Sequence, residues 1–408
     1  MGKVRHRHIG VSQGIVRHTS LAILLLGVVT GGGGLGVGSA HAQGQASGAL
    51  IGTVRGVDDP EYAAADERTG HVFVASIFGS QLSMLDAMTG EVIRSVDLPD
   101  GASAVAIDGR DDRVFVPVHG VNSNNDEIVM LDARSGDIVG TTPTGQNPYA
   151  VAIDESTRRV FVANRDDASI TMIDAASGKA LRTVAVGQQP RDVTVDERTN
   201  RAFVVNELDQ SVSVLNATTG QVVRTVGLDA TPWQSLVDWH SGRVFLTGGS
   251  GTITTLDATT GTVIATTDLG MPAFGGIVNE ATNRVLLTNE TDTTVSILDG
   301  TTGRLLRTVT VGKTPQALAV DARTGRAFVA VAGPLDRDGF TAKEPGSIVV
   351  LDSVTGAIQG RVAAGYNPHV IVTNTRTGRV FVGNSQDNTI SVLDLAHVIA
   401  PSAPRGQR

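Results

Sequence analysis

A short apolar triplet returns eight times along the chain at intervals of about 42 residues, the kind of period that stacked supersecondary units produce. The copies begin at Val72, Val114, Val160, Ala202, Val244, Val285, Ala327 and Val380, and read VFV, VFV, VFV, AFV, VFL, VLL, AFV and VFV. One full unit, residues 149–187, is YAVAIDESTRRVFVANRDDASITMIDAASGKALRTVAVG. It holds four short β-rich runs and no stretch with the 3.6-residue period of an amphipathic helix. Each unit therefore reads as a four-stranded antiparallel meander.

The turns agree. Asp66 to Gly70, Asp196 to Asn200, Asp321 to Gly325 and Asn374 to Gly378 separate first strands from second strands. Asp132 to Gly136, Asp174 to Gly178 and Asn216 to Gly220 repeat the recipe between third and fourth strands. Asp or Asn opens such a turn by accepting backbone N–H bonds, and the closing Gly or Asn takes φ > 0. Turn chemistry accounts for these repeated acids, and β-propensity for the many strand Thr residues.

Eight first, second and third strands can be counted, but only seven fourth strands follow their own third strand. The last copy stops at Leu393-Asp394-Leu395, and the missing strand is matched by Leu50 to Arg55 near the other end of the chain. Pairing the two closes a ring. The pattern predicts an all-β, eight-bladed propeller of four-stranded antiparallel blades, with a seven-bladed ring as the alternative. Blades packed face to face bury both sides of their sheets, which explains VFV in place of strict apolar and polar alternation.

Residues 1–42 stand outside the repeats. Lys3, Arg5, Arg7 and Arg17, then the apolar run Leu21 to Val29, then Ala40-His41-Ala42, follow the order of a secretory signal peptide cleaved after Ala42. This predicts a periplasmic or extracellular protein with a flexible start at 43–49, a single propeller domain at 50–396 and a flexible tail at 397–408. No segment of the mature chain is apolar enough to be transmembrane. Without the four basic leader residues, the 33 Lys and Arg fall to 29 against 41 Asp and Glu, a net of −12. That balance disfavours nucleic acid as a partner. The absence of Cys excludes disulfides, thiolate metal sites and covalent c-type haem.

The runs VFVAN at Val160, AFVVN at Ala202, VLLTN at Val285 and VFVGN at Val380, each followed by a strand ending ISVLD or similar, resemble YVTN-type repeats. Over residues 50–395 the chain resembles the YncE-like family of secreted or periplasmic β-propellers. Related groups include propellers like the β-chain of quinoprotein amine dehydrogenase, the haem d1 domain of nitrite reductase, and lactonases. The resemblance implies the fold and leaves activity open among these groups.

Subtracting what repeats isolates what can recognise a ligand. A Pro recurs between each fourth strand and the next first strand, at Pro60, Pro148, Pro190, Pro232, Pro272, Pro315 and Pro368, with Gly101 in the second blade. The next position faces one mouth of the central channel and varies: Glu61, Ala102, Tyr149, Arg191, Trp233, Ala273, Gln316 and His369. One step further stand Tyr62, Asp192, Gln234 and Phe274 among smaller residues. Aromatic faces with a few polar groups suit a small molecule, glycan or protein ligand.

Two blades also lengthen the loop between second and third strands, at 117–127 and 333–346. The expected position of these loops is over Glu61, Tyr62 and His369, on the same face. They nominate a metal set of Glu61, His119 and His369, with Asn124, Asp126 and Asp336 in reach, for Zn²⁺ or Ca²⁺. No HxxxH spacing links these residues, and no cofactor beyond that candidate divalent cation is evident. His71 and His240 read as solvated turn residues on the opposite face, and no GxSxG motif is present. The leading expectation is a non-enzymatic binding scaffold; the alternatives are a divalent-metal hydrolase of lactonase type or a β-propeller subunit of an oxidoreductase.

Overall fold

The computed structural model describes residues 49–76, 78–120, 126–289, 292–336 and 341–397. The leader reading of 1–42, the start at 43–48, Asn124 and the tail from 398 lie outside the described residues. Eight antiparallel sheets follow one another along the chain. Blade 1 consists of Tyr62–Asp66, His71–Ala75, Gln81–Asp86 and Val92–Asp97. Blade 8 consists of Pro368–Asn374, Arg379–Asn384, Thr389–Asp394 and, as its outer strand, Leu50–Arg55. In that last pairing Val54 lies opposite Ile390 and Leu50 opposite Leu393. The ring has eight blades, closed by the N-terminal strand as the strand count requires.

Each triplet works in two directions. The central side chain (Phe in seven blades, Leu286 in the sixth) is buried toward the following blade, and its flanking residues are buried toward the preceding one. Phe73, for example, clusters with Val114 and Val116, and Phe381 with Val72 and Val74. There are eight such apolar clusters, one for every blade-to-blade interface, including that between blades 8 and 1.

The turn glycines serve packing as well as conformation. Gly178 has φ 69° and a Cβ there would meet Met130 Cε at 2.8 Å; Gly220 has φ 71° and would meet Met172 Sδ at 2.8 Å. A turn that any αL-tolerant residue could close must therefore be glycine, because the preceding blade lies against it. Outer strands add polar clamps: Arg182 Nη1 donates to Thr219 O at 2.7 Å and Thr267 Oγ1 to Gly303 O at 2.8 Å.

The strand Ser and Thr residues are more than β-formers. The Asn that closes the second strand in blades 3, 4, 6 and 8 is buried, and its Nδ2 donates to two hydroxyls on the third strand. Asn206 reaches Ser211 and Ser213 at 3.0 Å each, and Asn289 reaches Thr294 and Ser296 at 2.9 Å each. Blades 2 and 7, which lack the Asn, carry Glu127-Ile128-Val129 and Ser347-Ile348-Val349 there instead. The hydroxyls do not depend on the amide, since blade 5 keeps both, Thr252 and Thr254, with Gly248 in place of the Asn. His71 also departs from expectation: it is half-buried, with Nδ1 2.9 Å from Ala133 O of the next blade. His240 is exposed. No helix among the described residues is long and apolar enough to cross a membrane.

Candidate functional site at the channel mouth

The proline loop aims its next residue by means of a β-bulge. In blades 3, 4, 5, 7 and 8 the first strand pairs through its proline and then skips one residue, as in Pro148 opposite Asn164 followed by Ala150 opposite Ala163. The skipped residues are Tyr149, Arg191, Trp233, Gln316 and His369. A bulge releases a residue from the ladder and redirects its side chain. Asn147, Gln189, Thr314 and Asn367, just before four of these prolines, are left-handed at φ 51–54°. Blade 2 breaks its first strand into Gly101–Ala102 and Ala106–Asp108, placing only small side chains at this level.

Four blades then supply one continuous band. The Arg165 guanidinium lies over the Tyr149 ring, 5.3 Å from its centroid, and Arg191 lies over Trp233 at 5.7 Å. Glu207 joins the two arginines, accepting from Arg165 Nη2 at 2.7 Å and from Arg191 Nη1 at 3.2 Å. Trp233 packs against Phe274 with centroids 4.7 Å apart and planes at 38°. Gly249 makes room for the indole, since a Cβ there would come within 2.5 Å of Trp233 Cζ2. Arg191 is only 8% exposed, so its charge is held by Glu207 and the Trp face together.

Blade 1 faces this band over the small residues of blade 2. Burial pushes the Tyr62 phenol well above its usual range; Tyr149 and Glu61 add to the shift and Arg191 opposes it, which places all four in one electrostatic neighbourhood. Glu61 is itself buried. Asp192, one step inside Arg191, accepts from Ser235 N at 2.7 Å and Ser235 Oγ at 2.9 Å; burial raises its pKa, and those bonds and Arg191 offset part of the rise.

The remaining ring members stand apart from the band. Gln316 Nε2 donates to Asn367 Oδ1 at 2.8 Å. His369 Nδ1 and Gln234 Oε1 are buried with no hydrogen-bond partner, and burial lowers the His369 pKa to about 4, so this imidazole is neutral at pH 7. Unpaired buried polar atoms are costly and mark places where water or a ligand completes the bonding.

The described members of the nominated metal set do not converge. His119 Nδ1 is 2.6 Å from Asp126 Oδ1, and both line a cleft of about 560 Å³ that also touches Asn147, Asp166 and Asp167 of blade 3. Asp126 O accepts from Thr144 N at 3.0 Å, the next rung of the blade 2 ladder beyond Glu127 and Pro143. Asp336 is exposed and pairs with Lys343 at 3.1 Å. The blade 7 loop does lean on blade 8, through Ala342 N to Gln386 Oε1 at 2.7 Å. Among the described residues no three His, Asp or Glu side chains gather where they could share a metal ion.

Arg165 and Glu207 escaped the sequence reading. They occupy one equivalent position, five residues after the start of each triplet, which reads Arg165, Glu207, Gly249, Ala332 and Ser385 in blades 3, 4, 5, 7 and 8. The same subtraction of what repeats, applied at that second position, would have found them.

Comparison with known proteins agrees with the repeat pattern. Residues 51–201 match the family model of the YncE-like β-propeller, and residues 208–399 match that described as outer membrane protein assembly factor BamB. No curated protein matches the chain. The crystal structure of the computationally designed Ika8 protein is similar in fold, with a TM-score of 0.67 at 18% identity, covering 85% of this chain and 100% of the designed one. The chain is an eight-bladed β-propeller, YncE-like over residues 51–201.

Proposed function

We propose that this chain is a binding propeller that holds a small molecule or the end of a glycan in the mouth between Tyr62, Tyr149, Arg191, Trp233 and Phe274. The observation that carries the reading is the Tyr149–Arg165–Glu207–Arg191–Trp233–Phe274 band. It contains buried charge fixed before any ligand arrives, on a mouth ring that also carries the unpaired Gln234 amide oxygen and a neutral His369. Pre-organised polar groups among aromatic walls are how concave sites orient a ligand. The metal-hydrolase alternative needs His119 beside Glu61 and His369, and His119 is engaged with Asp126.

Trp233 provides the test. With Trp239, which is 52% exposed on the opposite face, replaced by Phe, Trp233 is the sole indole. A panel of small polar metabolites and oligosaccharides is titrated against its fluorescence. A saturable change that Arg191→Ala abolishes supports the reading, and a panel with no saturable response overturns it. The same reading takes the protein to be exported, on the leader order of residues 1–42. Intact mass of protein recovered from an exporting host should then begin at Gln43.

A further inference from the structure

The two faces of the ring differ sharply in charge. Among the described residues, the segments that connect strands on the mouth face carry fourteen Asp and Glu against three Lys and Arg, whereas those on the opposite face carry eight against nine. Ion pairing follows the same division. Among the described residues three of the eight opposite-face acids are ion-paired, as in Arg94 with Asp137 at 2.6 Å and Arg158 with Asp111 at 3.1 Å, against three of the fourteen on the mouth face. On the mouth face two of the four ion pairs share the single carboxylate of Glu207. Asp58, Asp97, Asp166, Asp209, Asp229 and Asp268 are exposed there with no cationic partner among the described residues. Asp58 and Asp229 accept no hydrogen bond from any described group, so turn chemistry does not explain them.

Two independent features show what this face can hold. Leu208 is the most exposed large hydrophobic side chain described, at 63%, and stands between Glu207 and Asp209 at the tip of the blade 4 mouth loop. Tyr149 and Trp233 hold the chain's own Arg165 and Arg191 on their rings, which shows that aromatic groups of this face accept cations, with those two ring faces already filled.

We propose that the mouth face docks a basic polypeptide, a Lys- and Arg-rich segment or surface of a partner protein, with the spread of carboxylates steering it and Leu208 giving an apolar contact. A compact cation suits the pattern poorly, because the acids are distributed around the ring and no three of the described His, Asp or Glu side chains converge on one point. A polypeptide with charges spaced along it matches that distribution. The proposal shares its face with the small-ligand reading but rests on the rim carboxylates and Leu208, so either can fail alone.

The test uses a fluorescent peptide of about ten lysines and measures anisotropy against the whole protein at low and at physiological salt. Binding should weaken at least about tenfold between the two, as screening of a charged surface requires. The variant Asp58→Asn/Asp209→Asn/Asp229→Asn should weaken it about tenfold further. Glu91→Gln/Asp137→Asn/Glu280→Gln, an equal charge change on the opposite face, should leave it within about twofold. Leu208→Ser should weaken binding at both salt concentrations. Arg191→Ala, which removes the small-ligand response, should leave the peptide bound and so separates the two readings. No binding, equal weakening by both triple variants, or spermine competing as tightly as the peptide would each overturn the proposal.

Discussion

The Arg191 guanidinium sits over the Trp233 indole, and the carboxylate that fixes it, Glu207, comes from the same blade while the indole comes from the next. Removing the guanidinium should therefore be read by the indole. In a Trp239→Phe background, Arg191→Ala is expected to change Trp233 emission intensity and to lower stability by about 2 kcal/mol, since Glu207 keeps Arg165 as a partner. Steady-state fluorescence and urea titration check both. Gly249→Ala, which drives a Cβ into the same indole, should give a similar spectral change with both charges intact.

Gly178→Ala tests whether the turn glycines are fixed twice over. The left-handed φ costs about 1 kcal/mol and the collision with Met130 adds a comparable amount, so a loss of about 2 kcal/mol is expected. Gly227→Ala is the control, because its Cβ would meet nothing within 4 Å. Thermal melts of the two variants should separate clearly, and equal melting temperatures would mean that the blades yield at their turns.

Asn206→Ala removes two buried hydrogen bonds and strands the Ser211 and Ser213 hydroxyls. The expected loss is about 2 kcal/mol. Asn206→Val combined with Ser213→Val, the arrangement that blades 2 and 7 approach naturally, should recover part of it. Denaturant midpoints for the single and double variants give the answer.

His369 makes stability depend on pH with a definite sign. Its folded pKa is about 4 against 6.5 for the free side chain, so the folded state favours the neutral ring. The stability this group confers is complete above pH 6.5, declines as pH falls toward 4 and is gone below that. His369→Gln should flatten that part of the melting curve against pH, leaving the acid limb set by turn carboxylates such as Asp132 and Asp257, whose pKa values are held low by backbone N–H bonds from their own turns. A melting difference between wild type and variant that does not change between pH 7 and 4 would refute the assignment.

What could be read without coordinates was whatever each repeat states locally. Triplet spacing, Asp-to-Gly turns and the unpaired strand at Leu50 fixed blade number and closure, because strand pairing in a meander is a near-neighbour relation. Side-chain direction was harder to read. That Tyr149 and Trp233 are the skipped residues of bulges is a register detail, and the Glu207 bridge joins a loop to a strand across two blades. The Asn206 staple is hidden for the opposite reason: it repeats, so it reads as part of the common scaffold, and its Ser211 and Ser213 partners lie on the next strand. Asp126 was nominated for a metal, yet it answers the nearest donor, His119, one strand end away.

Blade 8 draws its outer strand from residues 50–55 and its other three from 368–394, so the ring contains a built-in completeness check. A chain lacking Thr389–Asp394 leaves Leu50–Arg55 with no edge to join. It also leaves the Val72 and Val74 side of blade 1 uncovered, because Ile390 and Val392 are missing from that interface. Every unfinished or clipped chain would thus display apolar surface that the finished one hides, the signature that chaperones and proteases recognise. Quality control for this protein amounts to whether its two ends have met.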